Sequence, residues 1–195
     1  MAALPPLRPL TRLNAVDFES PAVLRKTATA GRKLAELKGL ASSIPNQGIL
    51  INTLGLQEAK DSSAIENIVT SHDEPALWQE WVLYMLTAVE ETAAQAIVTV
   101  ADIKAALMDY KHRIRGMFKF YSQDLINNLF MHPYTKIEFV ERDLKVSRLT
   151  AAKYLGALDE AGFVRKVKVG RSNYYINAAL SAILTRAEMV DGGAA

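Results

Sequence analysis

The chain has 195 residues, half of them apolar, a formal net charge of +2 and no cysteine. That length suffices for one large or two small domains, and the lack of cysteine excludes disulfides and thiolate metal sites and fits a reducing compartment. The start, MAALPPLRPL, sets a Pro-Pro pair and an arginine where a secretory signal needs an apolar stretch, and no run of about 18 apolar residues predicts a membrane span, so the chain reads as soluble and cytoplasmic.

Residues 1–20 carry three prolines and no sustained period, which predicts an extended arm. A helix follows over 22–40, with Leu24, Leu34, Leu37 and Leu40 as its apolar stripe. Pro45 and the Asn46-Gln47-Gly48 run predict a turn. Helical spacing resumes through Leu50, Leu54, Leu56 and Ala59, and Asp61 and Ser62 are good caps for a separate short helix, SSAIENI. On that helix Ser62 and Glu66 share a face, with Asn67 beside them.

The polar run before Pro75 predicts a break. Beyond it, Trp78, Val82, Met85 and Val89, then Val100, Ile103, Leu107, Tyr110, Ile114 and Met117, follow spacings of three and four. These predict the seam of packed antiparallel helices, split near residue 98, with Thr99 as cap and Asp102 closing a capping box.

The last third changes pattern. SQDLINNLFMHP predicts a helix capped by Ser122 and stopped before Pro133; KIEFVERDLK predicts a short second helix. RLTAAKYLGALDEAG predicts a third, capped by Ser147 and ended by Gly162. FVRKVKV and YYIN then read as two strands around a GRSN turn, with Tyr174 and Tyr175 as strand residues packing on the third helix or one of them facing outward. Helix, short helix, tight turn, helix and hairpin make a winged helix-turn-helix.

Residues 111–171 hold 13 Lys/Arg against six Asp/Glu, a balance that suits an anionic partner. Ser147, Arg148, Thr150 and Lys153 stand near the start of the third helix, where DNA-binding winged helices meet base edges. Arg165, Lys168 and Arg171 decorate the hairpin, within reach of phosphates. Against duplex readout, the third helix offers no Asn or Gln for adenine and ends in Asp159 and Glu160. No catalytic constellation is visible. His72, His112 and His132 are too scattered for a helical metal pair, and there is no phosphate-binding glycine loop and no nucleophile elbow.

One segment carries a resemblance. Residues 45–72, PNQGILINTLGLQEAKDSSAIENIVTSH, closely resemble the N-terminal regulatory segment of Fic-family AMP-transferases. The inhibitory motif of that family, Ser/Thr-x-x-x-Glu followed by Gly or Asn, is matched by Ser62, Glu66 and Asn67. Residues 77–120 resemble the helices that follow the Fic core, and the winged helix resembles the C-terminal domain of larger members. The family's catalytic signature, His-Pro-Phe-x-Asp/Glu-Gly-Asn-Gly-Arg-x-x-Arg, is absent: the only His-Pro, His132-Pro133, runs on into Tyr134 and Thr135.

The resemblance implies a mainly α protein. Its parts are a regulatory segment with an inhibitory helix over 1–75, a helical bundle over 76–120 resembling the C-terminal part of the Fic core, and a winged helix-turn-helix with a small β-hairpin over 121–190. In complete members the motif histidine is the base toward a target hydroxyl, and the glycine loop and arginines hold the phosphates of ATP with Mg²⁺. There the inhibitory glutamate pairs with the last motif arginine and sets negative charge where the γ-phosphate lies, with Ser62 here steadying the helix. Glu66 has neither arginine nor nucleotide to act on, so no adenylyltransferase activity and no cofactor are expected. Self-association, DNA through the winged helix, and a complete Fic protein are the partners implied, with no membrane. Two alternative readings are a DNA-binding winged-helix regulator and a trans-acting inhibitor that lends Glu66 to a complete Fic enzyme.

Overall fold

The computed structural model describes residues 18–48 and 75–190, which form six helices and one small sheet. The helix predicted from Leu50, the SSAIENI helix and most of the N-terminal arm lie outside the described residues. No described helix is long and apolar enough to cross a membrane.

Helix α1 spans Pro21–Ala41. Ser20 caps it by accepting from the Val23 N–H at 3.4 Å, and Pro21 stands at the first position, where its missing N–H costs nothing. Its buried stripe differs from the leucine pattern. Val23, Ala30 and Ala41 are buried, whereas Leu24 and Leu34 are 54% and 47% exposed. The alanines face α2, Pro75–Met117, whose Ala93 and Ala96 are also buried. Small side chains let the two backbones approach, and that contact decides which face turns inward.

Helix α2 is continuous, not broken near residue 98. Its 43 residues make a rod about 65 Å long. Thr99 caps nothing; its hydroxyl bonds back to the Gln95 carbonyl at 3.2 Å, one turn earlier. The apparent slip in the pattern disappears once Ala93 and Ala96 are counted: buried positions run 93, 96, 100, 103, 110 and 114. With α2 unbroken, the antiparallel pair expected within it is not formed. Helices α1 and α2 run parallel to each other. Lys26 and Thr29 of α1 meet Glu90 of α2 at 2.8 and 3.0 Å, while Ala41 and Ile44, farther along, share a core with Val100 and Ile103. Lys26 and Thr29 hold the Glu90 carboxyl below its ordinary value.

The C-terminal third is the predicted winged helix with two additions. Helix α3, Gln123–Met131, is capped by Ser122, whose hydroxyl accepts from the Leu125 N–H at 3.1 Å. Helix α4, Ile137–Leu144, ends where Lys145 takes left-handed φ of 54°. Helix α5, Arg148–Glu160, closes in a Schellman motif: Gly162 at φ +77° donates to Asp159 and Phe163 donates to Leu158. Strands β2, Val164–Val169, and β3, Ser172–Asn177, turn through Gly170-Arg171, with Gly170 at φ +58°. The additions are β1, Tyr134–Thr135, which pairs antiparallel with β3 to give the order β1-β3-β2, and helix α6, Ala178–Val190.

Asn177 explains α6. Its side-chain oxygen accepts from the Leu180 N–H at 3.0 Å, which caps the helix, and its amide donates to the Leu129 carbonyl at 2.9 Å. Buried Phe130, Leu155, Leu158, Phe163 and Leu180 form the centre of one core that continues into α2. Tyr110 of α2 makes that joint. Its ring meets Phe130 and Phe163 edge-on at 5.2 and 5.0 Å; its hydroxyl donates to the Phe163 carbonyl at 2.7 Å and accepts from the Ala179 N–H at 3.2 Å. Burial pushes that phenol above its ordinary value.

A polar chain ties α3 to β1 and α4. Thr135 donates to Asn128 at 2.7 Å, Asn128 donates to Asp143 at 2.8 Å, and Arg142 donates to Asp143 at 2.6 Å. Arg142 first, then Asn128, holds the Asp143 carboxyl below its ordinary value. A carboxylate depressed in the fold contributes stability above its unfolded value, and that contribution is lost as pH falls through its folded value. The difference in melting temperature between the parent and Asp143→Asn should therefore be full above about pH 5 and shrink below about pH 4. A difference that stays constant down to about pH 3 would mean that the charge of Asp143 is not what holds this chain together.

Candidate nucleic-acid interface

Helix α5 sets its buried face, Ala151, Leu155 and Leu158, into the core, so the opposite face looks to solvent. Ser147 caps it: the hydroxyl accepts from the Thr150 N–H at 3.2 Å and shares a 2.9 Å hydrogen bond with the Thr150 hydroxyl. Two of the predicted contact residues thus spend their polar atoms on each other and on the backbone. Arg148, the first residue of the helix, reaches Glu138 on α4 at 3.0 Å, with both side chains more than half exposed. The Glu138 carboxyl lies below its ordinary value, chiefly through its own backbone N–H and then through Arg148. Exposure limits the worth of such a pair to under about 1 kcal/mol, so it orients Arg148 more than it stabilises the fold.

Lys153, one turn along, is exposed and meets no carboxylate among the described residues. Lys168 and Arg171 are in the same condition on the hairpin. The strand register divides the hairpin cations. Val164 is buried, so Lys166 and Lys168 lie on the face that packs toward the helices, and Arg165 lies on the opposite face, across from Ile176. Arg171 stands in the turn itself. The Lys166 N–H donates to Asp159 at 2.9 Å, which fastens the wing to the end of α5 and gives that carboxylate a structural task.

Lys153, Arg165, Lys168 and Arg171 are therefore the predicted cations that meet no carboxylate among the described residues, with Arg165 on the opposite face of its strand from Lys168. Tyr175 is buried beneath β3, whereas Tyr174 is on the outer face, where the Lys136 ammonium lies 4.2 Å from its ring centre. Ser62, Glu66 and Asn67 lie outside the described residues. Sequence reasoning passed over Leu149, the second residue of α5 and 83% exposed. Its neighbours Ala151, Leu155 and Leu158 carry the helical period, and a leucine out of phase with them was the available signal. Among the described residues no cluster of His, Asp and Glu is placed to hold a metal ion.

Two family models match this chain. Residues 24–106 match the Fic/DOC family N-terminal model, and residues 107–180 match the C-terminal domain of SoFic-like protein adenylyltransferases. The matches abut between Ala106 and Leu107, in the middle of the unbroken α2, and leave no residues between them for a catalytic domain. The protein is thus a member of the Fic/DOC family that joins the family's N-terminal and C-terminal parts directly, without the catalytic Fic core.

Proposed function

We propose that this protein is a non-catalytic regulator whose winged helix grips duplex DNA by its phosphates. The observation that carries this reading is a set of exposed cations without carboxylate partners among the described residues, Lys153 on α5 and Lys168 and Arg171 on the wing. A helix presented to solvent and a cationic wing beside it suit a major groove and its flanking phosphates. Without a catalytic core the Fic-derived helices do no chemistry in this reading; they brace the reader, since α2 enters the same core through Tyr110 and Ile114.

Fluorescence anisotropy with a labelled duplex tests it. Three phosphate contacts predict a log–log dependence of affinity on salt with a slope of about −2.7. Absence of binding at about 50 mM salt would end this reading.

A further inference from the structure

Resting on the DNA reading, we infer that Leu149 is the base-reading residue of α5 and that it reads the thymine methyl group. Residues at the start of a groove-facing helix meet base edges. In the first turn of α5 the hydroxyls of Ser147 and Thr150 bond to each other, and the guanidinium of Arg148 is held by Glu138. The helix contains no Asn or Gln. Leu149 stands among these residues and is 83% exposed, more than any other large apolar side chain described.

Packing does not explain that exposure, because the core-facing side of the helix is filled by Ala151, Leu155 and Leu158. Two turns beyond Leu149 on the same outward side is Gly156. A Cβ there would meet nothing within 4 Å, so the fold does not require a glycine at that position. Its absence of side chain lets the outward face come close to a partner. In the major groove the C5-methyl of thymine is the one apolar feature the bases present. A leucine flanked by Lys153 matches that methyl beside a phosphate.

The test begins with selection of bound duplexes from a random-sequence pool, followed by replacement of thymine by uracil at each enriched position. Uracil removes only the methyl. The expected result is at least one position where uracil weakens binding by the parent about fourfold, the effect of returning one methyl to water, while Leu149→Ala shows no penalty there. Leu149→Ala should keep the parent's melting temperature, because the side chain lies outside the core. A selected site without a thymine preference, or an equal uracil penalty in both proteins, would overturn the assignment and leave the DNA reading standing. Failure to bind the pool at all would remove both.

Discussion

Replacing Lys153, Lys168 and Arg171 together by alanine should weaken duplex DNA binding roughly 10³-fold at about 50 mM salt. The magnitude follows from counterion release: three lost phosphate contacts remove about 2.7 from the salt slope, and the lost affinity grows as salt falls. The slope of the triple variant should accordingly approach zero. Arg165→Ala is the internal control. Arg165 lies on the opposite face of the hairpin from Lys168, so its loss should cost less than about threefold, against about fifteenfold for a true phosphate contact at that salt. Equal losses from Arg165→Ala and from Lys168→Ala would show that the whole wing acts as a diffuse cationic surface. All four side chains are exposed, so unfolding is not expected to confuse the comparison.

The second large effect concerns the joint between the two family parts. Tyr110→Phe should destabilise the protein by about 1–3 kcal/mol, because it takes the acceptor of the Ala179 N–H and one of the two donors, beside the Ala178 N–H, of the buried Phe163 carbonyl. Tyr110→Ala adds a cavity between Phe130 and Phe163 and should cost about 3–5 kcal/mol. His112→Ala, two residues away and exposed, should stay within about 0.5 kcal/mol of the parent. Urea denaturation followed by circular dichroism reads all three. A Tyr110→Phe variant as stable as the parent would mean that the aromatic packing alone carries the joint.

The joint matters because the family matches meet inside α2. A chain made by joining two distant parts of a larger architecture has to rebuild a core across the junction. Val100 and Ile103 precede the boundary, Tyr110 and Ile114 follow it, and all four belong to one buried cluster. The heptad-like spacing runs through the boundary without a break, so a single helix serves both parts.

The winged helix was legible because its boundaries are written in local chemistry. Ser122 and Ser147 cap helices, and Gly162 ends α5 at positive φ, each through bonds within three to five residues. The long helices were less legible. Their contact is built on Ala30, Ala93 and Ala96, and alanine carries little apolar signal while permitting the closest approach. Of the leucine stripe expected on α1, Leu37 and Leu40 pack against the core while Leu24 and Leu34 are exposed, and the spacing slip with Thr99 and Asp102 as a capping box suggested a break that α2 does not have. The parallel sense of α1 and α2 depends on pairs such as Thr29 with Glu90, 61 residues apart, which no local period encodes. Helix α6 follows from the cap at Asn177, a single polar residue at the end of the second strand whose capping role depends on its place in the fold. At the interface, the residue types were right but their availability was not visible: whether Arg148 is free depends on Glu138, and whether Arg165 faces the partner depends on strand register.

Family membership would ordinarily imply an ATP site, and the central claim is that the N- and C-terminal parts persist here without it. Calorimetric titration of the purified protein with ATP and Mg²⁺ tests that claim most directly. The account predicts no saturable heat up to millimolar nucleotide, because the glycine loop and the arginines that hold phosphates in complete members have no counterpart in this sequence. Saturable binding at one site per chain would contradict it and would require a nucleotide site built from other residues.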